Sequence, residues 1–198
     1  MDNRIIGLTG GIATGKTTVA NYIAETYRIP VLDADIFARE AVEPGSEILD
    51  RIVQRYGQKI LTPDGNLDRP QLGQIIFNSE DDRQWIEAQI HPYVRQRFVK
   101  SIEEYKRQTP NLRIVLVVPL LFEAGMRDLV TEVWVVSCSL DEQCHRLMER
   151  NNLSLPAAQA RIAAQMPLDR KCELADRVLD NSGEGSLWRD RVDTELRK

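Results

Sequence analysis

The sequence predicts an α/β protein: a mainly parallel five-stranded sheet between two layers of helices, with a helical insertion and a helical lid. Three observations predict it. Apolar runs suited to buried strands recur at 4–9, 30–33, 113–118, 132–137 and 177–180, with helical patterns between them, the alternation expected of a sheet covered on both faces. A glycine-rich turn joins the first run to the first helical pattern. The spacing is also uneven, with about eighty residues between the second and third runs, far more than one crossover needs.

The first run holds Ile5, Ile6 and Leu8, and it leads into Gly10-Gly11-Ile12-Ala13-Thr14-Gly15-Lys16-Thr17. This segment fits G-x-x-x-x-G-K-[ST], the phosphate-binding P-loop. Glycines at 10 and 15 permit backbone angles closed to other residues, so successive N–H groups can face a nucleotide phosphate. The following helix adds the positive end of its dipole. Gly11, Ile12, Ala13, Thr14, Gly15, Lys16, Thr17 and Thr18 are therefore candidate phosphate ligands. Lys16 is a mobile charge for the β and γ oxygens, and Thr17 is a hydroxyl for Mg²⁺. Val19, Ala20, Ile23, Ala24 and Tyr27 then recur at helical spacing, so strand, turn and helix follow in the order of a P-loop NTPase-type core. The dinucleotide pattern G-x-G-x-x-G does not match Gly7, Gly10, Gly11 and Gly15.

The second run ends in Asp33-Ala34-Asp35. The C-terminal edge of an open α/β sheet is where ligands bind, and strand alternation would put both carboxylates on one side. A carboxylate here can accept or orient the proton of an attacking hydroxyl. Asp35 has a second reading, as the cap of a helix beginning near Ile36. The long interval that follows reads as helical: Ile48, Leu49, Ile52 and Val53 form one apolar face, and Ile86, Ile90, Val94, Phe98 and Ile102 step by four. Pro63-Asp64-Gly65-Asn66 marks a turn between them. Pro92 leaves two readings, a bent helix or two helices meeting at His91. A histidine before proline is more often a turn or helix start than a catalyst.

The third run passes into Val117-Val118-Pro119-Leu120-Leu121-Phe122-Glu123. No Asp ends it, and Glu123 is the nearest acid. Thr17, water and phosphate oxygens can then hold Mg²⁺, which keeps several waters in any case. After the fourth run, residues 141–150 put Arg146 and Arg150 on one helical face. Asn151 and Asn152 break that helix, and Ser154 with Pro156 starts another through about Gln165. The pair could close as a lid, bringing a guanidinium to a transferring phosphoryl group. Spacing also allows a solvated face, with Glu142 and Glu149 within reach of Arg146. Beyond the fifth run, Gly183-Glu184-Gly185 reads as a short turn.

With 198 residues, 42% hydrophobic and 28% charged, the chain suits one sizeable core. A net charge of −4 gives no electrostatic reason for a nucleic acid partner. Cys138, Cys144 and Cys172 lack C-x-x-C spacing, which suggests neither a disulfide framework nor a zinc site, and His91 and His145 lack an accompanying carboxylate cluster. Trp85, Trp134 and Trp188 are scattered, as core residues are. No leader pattern or membrane-length apolar stretch is visible, so a cytoplasmic setting is expected.

Taken together, Leu8-Thr9-Gly10-Gly11-Ile12 with the P-loop, Asp33-Ala34-Asp35, Gly65-Asn66-Leu67-Asp68-Arg69, His91-Pro92, Pro119-Leu120-Leu121-Phe122-Glu123, Arg146 with Arg150, Arg161-Ile162, Gln165, Ala175-Asp176, Asn181 and Gly183 resemble the dephospho-coenzyme A kinase family. The resemblance spans nearly the whole chain. It implies transfer of the ATP γ-phosphoryl group to the ribose 3′-hydroxyl of dephospho-coenzyme A, with Mg²⁺. By carry-over, Asp33 orients or deprotonates that hydroxyl, Lys16 holds the donor, Arg146 faces the transferring group, and Asn181 borders the adenine. Thr9, Asp33, Asp35, Arg69, His91 and Leu120 would line the acceptor. Residues 1–198 would form a single kinase domain: a core of about 1–34, 108–140 and 166–198, an acceptor-binding insertion of about 35–107, and a lid of about 141–165. Ala13-Thr14 stands where relatives more often have glycine and serine, a difference expected to matter little. Val117 stands where some relatives carry an acid. Other small-molecule or nucleoside kinases would lack the combined His-Pro and Pro-Leu-Leu-Phe-Glu segments, a nucleotide sensor would lack transfer, and the acidic balance disfavours a nucleic-acid motor.

Overall fold

The computed structural model describes residues 3–183 and 187–197. The chain divides into two compact units, residues 1–33 with 102–198, and residues 34–101.

The larger unit is built on a five-stranded parallel sheet in the order β2-β3-β1-β4-β5. Its strands are β1 (Arg4–Gly10), β2 (Val31–Asp33), β3 (Arg113–Val117), β4 (Glu132–Ser137) and β5 (Arg177–Asp180), so all five apolar runs become strands. β1 is central, pairing with β3 from Arg4↔Arg113 to Leu8↔Val117 and with β4 from Ile6↔Glu132 to Gly10↔Val136. Successive residues Ile114, Val115 and Leu116 in β3, and Val133 to Val136 in β4, are all buried. Both faces of the sheet are therefore covered, which is why these strands read as continuous apolar runs instead of alternating ones.

α1 (Lys16–Tyr27) and α9 (Leu187–Leu196) share one core with the sheet, in which Val19, Ile23, Trp188 and Val192 meet Ile6, Leu8, Val115 and Trp134. Past β4, α6 (Leu140–Asn151) starts at Ser139, whose hydroxyl accepts from Glu142 N–H, and stops at Asn152 in the left-handed region, φ 50°. Asparagine tolerates that geometry better than most residues with a Cβ, so the expected break is realised. α7 (Leu155–Ala163) and α8 (Leu168–Glu173) follow. Of the expected turn at 183–185, Glu184 and Gly185 lie outside the described residues.

The smaller unit is helical: α2 (Ala34–Glu40), α3 (Glu47–Tyr56), α4 (Arg69–Asn78) and the part of α5 (Glu80–Gln108) up to residue 101. Leu49, Ile52, Ile60, Leu67, Leu72 and Ile86 form its core. The turn at 63–66 is present, closed by Thr62 N–H donating to Asn66 O at 2.8 Å, with Gly65 at φ 81°. α5 is one helix with Pro92 inside it, which decides between the two readings of that segment. His91 is consequently a mid-helix residue, neither a turn nor a helix start. The apolar row along α5, with Ile86, Val94, Phe98 and Ile102 all buried, holds the helix together across the lost backbone bond.

Candidate active site

The loop of residues 10–15 leaves β1 at the C-terminal edge of the sheet. Gly10 adopts φ 152° and Gly15 φ 97°. A Cβ on Gly10 would lie 2.3 Å from the backbone oxygen of Val136, which leaves no room for one; at Gly15 a Cβ would lie 2.2 Å from Asn181 Nδ2, and the positive φ itself disfavours other residues. Ala13 is also left-handed, at φ 60°. The alanine at this position thus matters more than the motif suggests, because the pattern specifies its glycines and says nothing of the backbone between them. Thr14 is fully buried and its hydroxyl donates to Gly11 O at 3.0 Å. Lys16 begins α1, and its Nζ donates to Gly11 O at 2.7 Å and Gly10 O at 3.3 Å. Thr17 and Thr18 are exposed in the first turn of α1.

Asp33 is half-buried at the last position of β2, in register with Val117 of β3, which is itself in register with Leu8 of β1. The chain turns helical at once after it, since α2 begins at Ala34. Strand alternation therefore does not relate Asp33 to Asp35. Nor is Asp35 a cap: it is exposed within the first turn of α2, two residues past the position that role requires. Thr9 is fully buried and donates from Oγ1 to Pro119 O at 3.2 Å. Leu120 is half-buried beside Pro119. Arg69 is exposed at the start of α4, where Asp68 accepts from Gln71 N–H at 2.9 Å, and His91 is half-buried in α5.

Arg146 is half-buried on α6, donating to Glu142 Oε1 and to Asn181 O, both at 2.9 Å. The Gly183 N–H and the Arg146 charge hold the Glu142 carboxyl below its ordinary range. Burial pushes the Cys138 thiol up, while the charges of Arg146 and Lys16 oppose that shift. Glu149 pairs with His145 at 3.6 Å, so only Glu142 of the two expected acids partners Arg146. Arg150 is exposed and donates to Asn151 Oδ1. Asn181 closes the arrangement, its Nδ2 donating to Thr14 O at 2.8 Å.

Two residues of this region, Lys171 and Gln143, have no sequence signal of comparable strength. Lys171 on α8 is fully buried, with Nζ 2.9 Å from Glu123 Oε1 and 3.0 Å from Pro119 O. Glu123 also accepts from Met166 N–H at 3.1 Å. Gln143 and Gln165 both reach Ile12. Gln165 belongs to the resembling segments, whereas Gln143 and Lys171 are invisible to periodicity because their partners are distant in sequence. Among the described residues no group of three or more His, Cys, Asp or Glu side chains is arranged to hold a metal ion, and no helix is long and apolar enough to cross a membrane.

A parallel sheet whose central strand runs through such a loop into a helix, with an arginine-bearing helix pair nearby, defines a P-loop kinase-type protein. The family model described as Dephospho-CoA kinase matches residues 4–186. The chain belongs to the dephospho-CoA kinase family. It is 57% identical over 196 residues to Dephospho-CoA kinase of Trichormus variabilis, covering 99% of this chain and 98% of that one. Among solved structures, the crystal structure of TT1252 from Thermus thermophilus superimposes with a TM-score of 0.78 at 32% identity, covering 100% of this chain and 98% of that one. Dephospho-CoA kinase from Campylobacter jejuni gives 0.72 at 25% identity, covering 99% and 96%.

Proposed function

We propose that this chain transfers the γ-phosphoryl group of ATP to the ribose 3′-hydroxyl of dephospho-coenzyme A, giving ADP and coenzyme A in the last step of coenzyme A biosynthesis. The carrying observation is that Asp33 and the P-loop stand on one edge of one sheet, in a chain of this family. Two strand spacings separate β2 from β1, about 10 Å. That distance leaves room for an acceptor hydroxyl and a phosphoryl group between the carboxylate and the loop.

Loop residues 11–18 surround the ATP phosphates, all but Ile12 offering their backbone N–H groups, and Lys16 exchanges its bonds to Gly10 O and Gly11 O for phosphate oxygens. Asp33 orients the acceptor hydroxyl and takes its proton. Arg146 stabilises the charge that develops on the transferring group. Asn181, bonded to Thr14 O, borders the adenine. Thr9, Asp35, Arg69, His91 and Leu120 bind the acceptor. Within the single kinase domain, residues of about 35–107 are the acceptor-binding insertion and about 141–165 the lid.

Mg²⁺ fits the donors present. The Thr17 hydroxyl is exposed beside Lys16 and β3 ends in Val117, so one hydroxyl, water and phosphate oxygens make up a shell of the kind this ion prefers. When bound it neutralises phosphate charge. A cytoplasmic setting, with no nucleic acid or membrane partner, accords with the net charge of −4 and the free thiols.

The test is acceptor dependence. ADP is expected to form rapidly from Mg·ATP when dephospho-coenzyme A is added, with nucleosides and shikimate unable to replace it. Equal turnover without that acceptor would sink the assignment.

A further inference from the structure

Ile12, in the middle of the loop, has both of its backbone polar groups held by glutamine side chains. Gln143 Nε2 donates to the Ile12 carbonyl at 2.8 Å, and the Ile12 N–H donates to Gln165 Oε1 at 3.0 Å. The two glutamines approach from different places: Gln143 lies near the start of α6, and Gln165 lies just past the end of α7. Gln143 is only 2% exposed, and its Nε2 would be 2.4 Å from a Cβ on Gly11. The side chain fits there because residue 11 is glycine.

A trans peptide unit is a rigid plane whose C=O and N–H point in opposite directions. The Ile12 carbonyl shares its plane with the Ala13 N–H. Anchoring that carbonyl on Gln143 therefore points the Ala13 N–H the opposite way within the plane, away from Gln143. The next backbone angle, φ 60° at Ala13, is one that a residue with a Cβ leaves unless its surroundings hold it. A hydrogen bond from a buried amide supplies that hold. Gln165 does the complementary work, accepting the Ile12 N–H and so withdrawing it from any ligand.

We infer that Gln143 and Gln165 are positioning residues for nucleotide binding, which together orient the Ile12–Ala13 peptide so that the Ala13 N–H is presented to the β-phosphate. This rests on the reading of the loop as an ATP site. Gln143 also precedes Arg146 by three residues on the same helix, so any displacement of α6 moves the loop anchor and the arginine together. Donor orientation and delivery of the lid charge are thereby linked.

Gln143→Met preserves length and volume but cannot donate to the carbonyl. ADP and AMP are titrated calorimetrically into the parent protein and the variant, with thermal midpoints recorded alongside. ADP affinity is expected to fall about tenfold, and AMP affinity, without a β-phosphate, to stay within about twofold. Equal losses for both nucleotides would mean a general scaffold role, and an unchanged ADP affinity would mean no role; either overturns the inference. Gln165→Met is expected to give the same selective loss, and it carries the test if Gln143→Met does not fold. Failure of the parent protein to bind ADP would overturn the underlying reading as well, whereas firm parent binding with an unselective variant removes the inference alone.

Discussion

Asp33 combines two properties that a proton acceptor needs: partial burial, and a place at the end of a strand that the sheet holds in register. Replacing it with asparagine keeps the size and removes the charge. Asp33→Asn is expected to retain ATP binding while turnover falls by about 100-fold or more, the contribution of a positioned base. Near-normal turnover, measured by coupled ADP release, would remove Asp33 from the chemistry. Its neighbour Asp35 illustrates what a strand-end pattern cannot foresee. Two acids spaced by one residue look alike in sequence, but the backbone changes from strand to helix between them, and only the first remains on the edge of the sheet.

The element scale is dominated by the short helix α8 and the segment after β3. Lys171 is completely buried, and its ammonium has Glu123 and Pro119 O as partners. Glu123, by contrast, keeps 24% of its side chain in solvent and also holds Met166 N–H. Losing one member of the pair should therefore be asymmetric. Glu123→Ala strands a buried charge and is expected to cost about 3 kcal/mol or more. Lys171→Met leaves a carboxylate that can turn to water, and is expected to cost less than half as much. Urea denaturation midpoints measure both, and equal losses would contradict the asymmetry. Strands are legible in the sequence because burial on both faces writes them as unbroken apolar runs. A buried lysine on a short helix has no such periodicity, and its partner lies far back along the chain. The P-loop glycines are legible because their steric demand is local; Gln143 is not, since an ordinary polar residue on a helix announces nothing about which loop it will meet.

Across the whole molecule, the loss of stability on acidification comes in part from the attachment of α9 to α1. Tyr27 and Tyr22 both donate to Asp193 Oδ1 at 2.7 Å. These hydroxyls hold the Asp193 carboxyl below its ordinary value. A carboxyl lowered in the folded state stabilises the fold above its unfolded-state value, and that contribution is lost as pH falls through the folded-state value. The double variant Tyr22→Phe/Tyr27→Phe is therefore expected to melt below the parent protein at neutral pH, with the gap closing in acid. A gap independent of pH would assign the loss to packing around Trp188, which meets Tyr22 edge to face. The central place of β1 has a consequence for the order of assembly during synthesis. Both neighbours of β1 come late, β3 at residues 113–117 and β4 at residues 132–137, so on the ribosome the P-loop strand has no pairing partner until more than half of the chain has been made. Contacts of such sequence separation form slowly. An apolar strand waiting unpaired is an aggregation hazard, and truncated chains ending before residue 113 should expose β1 to chaperones until its neighbours arrive.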